Sequence, residues 1–280
     1  MDDQSTAQAV RAAFDAATVE HLGSGTFGDT WKVDAVEVAG TSITCAVKLL
    51  RPEYFRAHLV EREVGGLREF DDPRIVKLHD VREISINDVT HTALICEYIP
   101  GGDVHANLSA NMPTQDEVLT FAVGLLGAVS MLHKVDRVHR DLKLANVILR
   151  NGDWANPVLI DFGLSKGAGD ATVTLYPSRI GSLPFMSPEQ LAGEKARKAS
   201  DLWACGVILY MALTQRHPYV DDFRGLSEDD IADLVSGPPR PLPSDTIPVL
   251  AAITTRLLSE EPFERGTASR AFKDLRKAAK

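Results

Sequence analysis

A short stretch of the sequence concentrates side chains that could do chemistry. Residues Val138–Leu149 combine a carboxylate (Asp141), an ammonium (Lys143) and a carboxamide (Asn146) within six residues, flanked by apolar side chains. A loop in this stretch can aim all three groups at one point. Taken alone, such a stretch could equally be a solvated loop.

A further carboxylate follows a strand-like segment. Asp161 comes directly after the apolar run Val158-Leu159-Ile160 and before Phe162-Gly163. Hard cations prefer oxygen ligands, so an Asp that emerges from a buried strand before a glycine is well placed to hold one. Two such clusters in one chain, downstream of the glycine loop and strand lysine described next, are hard to attribute to chance.

A glycine-rich loop lies near the N-terminus, with Gly23, Gly25 and Gly28 in a GxGxxG pattern. Glycine lets the backbone approach phosphates and offer N–H donors. The pattern also opens dinucleotide-binding folds, but there a helix follows the last glycine, whereas here Thr30–Val33 is strand-like. A β-turn with spare glycines is the simpler alternative.

Lys48 lies in the otherwise apolar run Cys45–Leu50. Burying an ammonium requires a partner, and either a triphosphate or a carboxylate would serve. Glu63 and Glu61 on the following segment are both candidates, and helical geometry does not choose between them. A lysine that extends to the surface from a strand edge is the alternative.

Helices and strands must position these groups, and the spacing of apolar residues that predicts them changes along the chain. A short helix is predicted over residues 1–17, then strands, with one helix over Pro52–Phe70 between them. After Pro100-Gly101-Gly102 the pattern becomes helical, beginning with Thr114 as N-cap and Glu117 three residues on. The predicted strands are Thr18–Gly23, Thr30–Val38, Ser42–Leu50, Val76–Arg82 and Thr92–Tyr98. The predicted later helices are Thr114–Leu132, Ala199–Leu213, Ser227–Ser236, Ile247–Ser259 and Thr267–Lys277.

Composition excludes several classes of protein. With 280 residues, 30 Lys+Arg against 39 Asp+Glu and a formal net charge of −9, the chain is a poor candidate for a nucleic-acid binder that works by neutralising phosphates. Three scattered cysteines favour a reducing compartment, and the N-terminus lacks the pattern of a signal peptide. The longest apolar run, Leu202–Leu213, is too short to span a bilayer. We therefore expect a cytoplasmic location and no membrane segment within this chain.

The motifs together resemble a protein kinase catalytic domain of the eukaryotic Ser/Thr (Hanks) type, with a weaker likeness to bacterial members. The glycine loop, the strand lysine, H-R-D-L-x-x-x-N, D-F-G and a P-E motif occur in the family's order. The resemblance runs from about Phe14 to Phe272. It implies an α+β, bilobal fold over residues 1–280 as one domain. A small antiparallel β-sheet N-lobe with one helix (about 1–99) would precede a hinge (about 97–103) and a larger helical C-lobe (about 104–280).

The resemblance assigns the nucleotide-binding residues. ATP would be the cofactor, held at its phosphates by the three loop glycines and Lys48. Glu63 rather than Glu61 would pair with Lys48, because the family spaces that Glu nine residues before an HPNIV-like segment, here Asp72–Val76. Cys96 would occupy the gatekeeper position. The residues around the adenosine would be Ala46 and Ile148 for adenine, Glu97 and Ile99 for hinge hydrogen bonds, and Asp103 for ribose.

The resemblance also assigns the catalytic residues. Asp141 would orient or deprotonate the acceptor hydroxyl, and Lys143 would stabilise the transferring phosphoryl group. Asn146 and Asp161 would hold Mg²⁺, with Mn²⁺ as the alternative ion. Lys143 after H-R-D-L favours Ser/Thr over Tyr as acceptor.

The C-terminal half resembles the part of the family that binds protein substrates. Residues 181–189 are similar to G-T-x-x-Y-M-A-P-E, and Glu189 would form a buried ion pair with Arg265. Small-molecule kinases of related fold lack this segment. Departures are Thr30 for the usual Val, Ser182 for Thr, and Ala145 where relatives that select arginine carry an acid, which puts arginine-directed specificity in doubt.

Regulation by phosphorylation is the last implication. Ser178 and Thr174 are candidate autophosphorylation sites, Arg140 could receive their phosphate, and a transient homodimer would carry out the reaction. Two alternatives to a protein kinase remain: a nucleotide-binding pseudokinase or scaffold, disfavoured by the complete set of catalytic residues, and a small-molecule phosphotransferase, disfavoured by residues 181–189 and Arg265.

Overall fold

The computed structural model describes residues 3–25, 28–52, 70–161 and 183–279. The chain divides into two compact units, Met1–Ile99 and Pro100–Lys280. The predicted helix over Pro52–Phe70 lies almost wholly outside the described residues. The single-domain assignment stays a prediction.

The N-terminal unit is built on a five-stranded antiparallel sheet in the order β1-β2-β3-β5-β4. Its core contains the buried face of the sheet, including Trp31, Val33 and Val47, together with Val10 of the N-terminal helix. The elements are α1 (Asp3–Ala13), β1 (Val19–Gly25), β2 (Gly28–Val38), β3 (Thr41–Leu50), β4 (Leu78–Ile86) and β5 (Val89–Glu97).

The structure corrects the predicted limits of two strands and one helix. Strands β4 and β5 form a tight hairpin, whereas the sequence predicted Val76–Arg82 and Thr92–Tyr98 with a loop between them. Asn87 and Asp88 both take positive φ values, 50° and 62°, which is the backbone of a two-residue hairpin turn, so pairing continues up to the turn. Helix α1 ends before residue 17, since Asp15 adopts a left-handed φ of 50°.

The C-terminal unit is mainly helical, with one short hairpin of β6 and β7. The predicted capping box at the start of α3 is confirmed, because the Thr114 N–H donates to Glu117 Oε2 and the Glu117 N–H donates to Thr114 Oγ1. The elements are α2 (Val104–Ala110), α3 (Gln115–Lys134), β6 (Val147–Leu149), β7 (Pro157–Leu159), α4 (Pro188–Leu191), α5 (Lys198–Thr214), α6 (Glu228–Val235), α7 (Pro248–Leu257) and α8 (Ala268–Ala278), with 3₁₀ turns at Leu144–Asn146, Arg150–Gly152 and Leu183–Phe185.

The five predicted C-terminal helices are confirmed to within about two residues at each end. Helix α2 was not predicted, because its seven residues are too few for an apolar period to show. Helix α3 is long and apolar enough, by length and composition alone, to cross a membrane, but 67% of that stretch is buried inside the protein. A core helix of this kind passes the same test, so it is weak evidence of a span. The α+β class, with an antiparallel sheet before a helical region, is confirmed.

Candidate active site

The central strand of the N-terminal sheet sorts its side chains onto two faces. Cys45, Val47 and Leu49 are buried in the core, so the alternating Ala46 and Lys48 lie on the opposite, partly exposed face. In the paired strands, the residues opposite Lys48 are Thr30 and Leu94, and those opposite Ala46 are Lys32 and Cys96. Ala46 and Lys48, two of the predicted nucleotide contacts, therefore lie on the same face of the sheet as Thr30, which replaces the family's usual Val.

The glycine loop joins β1 and β2, with Gly25 paired to Gly28 at its open end. A Cβ atom at Gly28 would lie 2.0 Å from the backbone oxygen of Leu49, so only glycine fits against β3. A Cβ atom at Gly23 would meet nothing within 4 Å. The fold itself therefore requires Gly28, whereas Gly23 leaves open space above the strand.

The end of β5 leads into the residues assigned to the hinge hydrogen bonds, Glu97 and Ile99. The Glu97 N–H donates to the Lys77 carbonyl at 2.9 Å, so the backbone group that Glu97 can offer a base is its carbonyl oxygen. Ile99 is buried and Cys96 is partly exposed.

The catalytic stretch converges on one carboxylate in the C-terminal unit. Lys143 Nζ lies 2.8 Å from Asp141 Oδ2, and Asn146 Nδ2 donates to the same oxygen at 3.0 Å and to the Asp141 carbonyl at 2.7 Å. The 3₁₀ turn Leu144–Asn146 brings these groups together within one short loop. The structure thus assembles the carboxylate, the ammonium and the carboxamide that the sequence singled out.

Asp161 lies next to this loop through a backbone contact. The Ile160 N–H donates to the Asn146 carbonyl at 3.0 Å, and Asp161 follows with an exposed side chain and a φ of 60°. Because Asn146 uses its amide nitrogen for both bonds to Asp141, its side-chain oxygen is the atom that can face a cation. An amide and a carboxylate oxygen fit Mg²⁺, which binds one or two carboxylates and completes its shell with water and phosphate oxygens. Among the residues that the structure describes, no group of three His, Cys, Asp or Glu could hold a metal without such help.

A buried carboxylate of α5 fixes the start of the catalytic loop. Asp201 is 2% exposed and accepts hydrogen bonds from the backbone N–H groups of His139 and Arg140, each at 2.9 Å. Its Oδ2 also lies 2.9 Å from His133 Nε2. Arg140 has a φ of 71°, a costly conformation for a residue other than glycine, and Asp201 holds it. The sequence placed Asp201 in the predicted helix Ala199–Leu213 but gave this residue no role.

His139 connects the loop to the strand before Asp161. Its Nε2 contacts the Ile160 carbonyl at 3.1 Å, and since a carbonyl only accepts, Nε2 carries the proton. Burial lowers the pKa of His139, against the opposing charges of Asp201 and Asp141, so the ring is neutral at pH 7.

The predicted ion pair between Glu189 and Arg265 is confirmed. Arg265, fully buried, donates from Nη1 and Nη2 to the two carboxylate oxygens of Glu189, at 2.8 and 2.9 Å. Burial by itself would raise the pKa of Glu189, but the hydrogen bonds and charge of Arg265 outweigh it and the pKa is lowered. Arg265 also lies 5.0 Å from the ring centre of Trp203, so the pair joins α4 to the core around α5.

Two further predicted nucleotide contacts lie side by side. Asp103 and Ile148 form an isolated antiparallel bridge. Asp103 also caps α2, with Oδ1 accepting the Ala106 N–H at 2.7 Å, so one oxygen of the carboxylate assigned to ribose has a structural role. Glu63, Thr174 and Ser178 lie outside the described residues.

Comparison with known proteins supports one family. A family model described as a protein kinase domain matches residues 16–275. A probable serine/threonine-protein kinase of Streptomyces coelicolor is 32% identical over 79% of this chain and 33% of its own length. The kinase PkaA of the same organism is 29% identical over 93% of this chain and 49% of its own length. The rice kinase SAPK2 (Oryza sativa subsp. indica) is 32% identical over 72% of this chain and 58% of its own length. The chain therefore spans between a third and three fifths of these relatives.

Proposed function

The chain belongs to the protein kinase family, and from this premise we propose that it transfers the γ-phosphoryl group of ATP to Ser or Thr hydroxyls of protein substrates. The observation that carries the proposal is the convergence of Lys143 and Asn146 on Asp141 Oδ2. A carboxylate held in this way by a cation and an amide is fixed in orientation, as the acceptor step requires.

The proposed reaction is an in-line displacement. The acceptor hydroxyl oxygen forms a bond to the γ-phosphorus, the bond from that phosphorus to the bridging β,γ-oxygen breaks, and ADP leaves. Asp141 orients the hydroxyl and takes up its proton. Lys143 offers positive charge to the transferring group, whose transition state spreads charge over its oxygens. Most of the rate then comes from positioning and charge neutralisation.

Cofactor binding follows from the same residues. Asn146 and Asp161 would hold Mg²⁺, or Mn²⁺, through their side-chain oxygens, and the ion would supply charge neutralisation at the phosphates. Lys48 would contact the α- and β-phosphates, with Glu63 as its partner. Gly23, Gly25 and Gly28 would cover the phosphates, and Ala46, Glu97, Ile99, Asp103 and Ile148 would surround the nucleoside.

The remaining proposals concern setting and regulation. Cys45, Cys96 and Cys205 are free thiols, which supports a reducing, cytoplasmic setting. Autophosphorylation at Ser178 or Thr174, within a transient homodimer, would place a phosphate near Arg140. The partners are ATP and protein substrates, with no nucleic acid.

The test is phosphoryl transfer to a generic protein substrate with ATP and Mg²⁺, comparing the wild type with Asp141→Asn. Loss of the carboxylate should reduce turnover about a thousandfold while leaving nucleotide binding and the melting temperature unchanged. Asp229→Asn, at an exposed position of α6, is the matched control and should retain full activity. Mass spectrometry of residues 172–182 after the same incubation examines autophosphorylation.

The outcomes separate the candidate functions. Full activity of Asp141→Asn would refute the role of Asp141. A wild type that binds ATP but transfers nothing would indicate a pseudokinase, and transfer only to small molecules would indicate a small-molecule phosphotransferase.

A further inference from the structure

A buried histidine connects the segment before α4 to the loop after α5. His217 is 7% exposed, and its Nε2 donates to the Pro184 carbonyl at 2.8 Å, 33 positions earlier in the chain. Its Nδ1 accepts the N–H groups of Tyr219 and Val220 at 3.3 and 3.1 Å. Because one ring nitrogen donates and the other accepts, the ring is neutral and bridges the two segments.

The ring of His217 is also held by neighbouring aromatic side chains. The Phe223 ring lies edge-on to it, with 4.9 Å between the ring centres, and the Tyr219 ring lies 6.0 Å away at a tilt. Tyr219 in turn stacks on Trp203 of α5 at 5.5 Å and donates its hydroxyl to the Leu258 carbonyl at 3.2 Å. The core around α5 therefore sets the orientation of the histidine ring.

The carbonyl that His217 holds belongs to the 3₁₀ turn Leu183–Phe185. The side chains of Leu183 and Phe185 are partly buried and pack on the core cluster that contains Trp203. Apolar packing has no preferred direction, whereas a hydrogen bond requires a particular orientation of the carbonyl. The bond from His217 therefore fixes how this turn is oriented on the core.

The chain that follows this turn and the catalytic loop are anchored on consecutive residues of α5. Ser200 Oγ donates to Glu189 Oε1 at 3.0 Å. The next residue, Asp201, accepts the backbone N–H of Arg140, which directly precedes Asp141. An acceptor hydroxyl at Asp141 therefore brings the rest of its peptide close to the segment that begins at the turn.

We propose that His217 is a positioning residue for the protein substrate, because its bond to the Pro184 carbonyl fixes the turn Leu183–Phe185 against which the acceptor segment binds. This inference rests on the proposed kinase function. His217 touches no reacting atom and acts through the turn, so its loss should weaken the binding of the peptide and leave the binding of ATP unchanged.

The test compares two substitutions that each keep one half of the bridge. Asparagine places its side-chain oxygen where Nδ1 lies, so His217→Asn keeps an acceptor for the Tyr219 and Val220 N–H groups but has no donor that reaches Pro184. Glutamine places its amide nitrogen where Nε2 lies, so His217→Gln keeps the donor to Pro184 and leaves the two N–H groups without their acceptor.

Steady-state kinetics at neutral pH, with ATP, Mg²⁺ and the best Ser peptide from a random library, give the KM for the peptide. His217→Asn should raise it about tenfold with the KM for ATP unchanged, whereas His217→Gln should keep it within about twofold. His217→Gln should nevertheless melt about 4 °C or more below the wild type and below His217→Asn, since two buried N–H groups are left unsatisfied. A purely structural role cannot produce these opposite orders of peptide KM and stability.

Two further variants keep the test decisive. Methionine has the length of glutamine but no donor, so His217→Met lacks the bond to Pro184 that His217→Gln keeps. It should show the raised peptide KM even if His217→Asn folds poorly. Tyr219→Phe removes the hydroxyl bond to the Leu258 carbonyl from the same loop and leaves Pro184 held, so it should lower the melting temperature without changing the peptide KM.

The results distinguish the inference from the proposed function. If His217→Asn, His217→Gln and His217→Met raise the peptide KM equally, or if none of them does, the inference is wrong and the kinase function stands. The same conclusion follows if Tyr219→Phe raises the peptide KM as much as His217→Asn, since general loosening of the loop would then explain both. If the wild type phosphorylates neither peptide nor protein, the proposed function fails and the inference fails with it.

Discussion

At the scale of single residues, the catalytic loop depends on a carboxylate that takes no part in the chemistry. Asp201 accepts the backbone N–H groups of His139 and Arg140 on separate oxygens, next to His133. These bonds hold Arg140 in a strained backbone conformation directly before Asp141. The position of the Asp141 carboxylate therefore depends on α5.

We expect Asp201→Asn to lower both activity and stability. An asparagine would turn an NH₂ group toward one backbone donor, leaving a buried N–H unsatisfied at a cost of about 3 kcal/mol. A small displacement of Asp141 should reduce kcat ten- to a hundredfold with little change in the KM for ATP. Steady-state kinetics and thermal melting measure both effects. Asp233→Asn, an exposed change of the same kind, is the control, and equal behaviour of the two variants would contradict this role.

The sequence predicted much of the chemistry of the site because its motifs are local. Asp141, Lys143 and Asn146 lie within six residues, and the structure brings them together as expected. The Glu189–Arg265 pair was also predicted, through the family resemblance, and is confirmed. The role of Asp201 was missed, since a contact between residues about sixty positions apart leaves no spacing pattern in one sequence.

At the scale of elements, α1 is an integral part of the N-terminal unit although it precedes the region matched by the family model, residues 16–275. Val10 is fully buried in the same core as Trp31, Val33 and Ile86 of the sheet. The helix therefore covers apolar surface of the sheet that would otherwise face water.

We expect Val10→Asp to destabilise the N-terminal unit. An unpaired carboxylate in an apolar core, together with the lost burial, should cost about 3 kcal/mol or more. Ala12→Asp places the same side chain on the exposed face of α1 and should change the melting temperature little. Thermal melting with and without ATP–Mg²⁺ measures both variants. Equal melting of Val10→Asp and the wild type would show that α1 does not stabilise the sheet.

Long periodic elements were predicted well, and turn-dependent features were not. The cap and apolar period of α3 fix its limits, because Thr114 and Glu117 satisfy each other and the helix is long. The β4–β5 hairpin depends on two consecutive left-handed residues, Asn87 and Asp88, which lack the glycine that normally signals such a turn. The sequence therefore does not predict this turn, which becomes evident only from the pairing of β4 with β5 in the structure.

At the scale of the whole molecule, stability should depend on pH through buried histidine. His217 donates from Nε2 to the Pro184 carbonyl at 2.8 Å, and its Nδ1 accepts the N–H groups of Tyr219 and Val220 at 3.3 and 3.1 Å. A ring with one donating and one accepting nitrogen is neutral. Burial lowers the pKa of His217 to about 4, against the opposing bond to Pro184 and with the help of the charge on Arg240.

The sign of the effect follows from proton counts. Unfolded, His217 titrates near 6.5, so between pH 6.5 and 4 the unfolded chain binds more protons than the folded chain. The contribution of His217 to the free energy of unfolding should therefore be at its maximum above about pH 6.5. It should fall by roughly 3 kcal/mol as the pH drops toward 4. The lowered pKa of His139 acts in the same direction. The lowered pKa of Glu189 adds a further loss that begins below its ordinary value of 4.5.

We expect His217→Asn to flatten this dependence, because asparagine does not titrate. The wild type should melt at a lower temperature at pH 4.5 than at pH 7.5, and the variant should reduce that difference by roughly 5 °C or more. His105→Asn, at an exposed histidine of α2, should retain the wild-type difference. A variant with the same pH dependence as the wild type would show that His217 is not protonated on unfolding. Protonation adds a proton to Nδ1, the nitrogen that accepts the N–H groups of Tyr219 and Val220, so as the pH falls it should disrupt the turn after α5 while the bond from Nε2 to Pro184 remains.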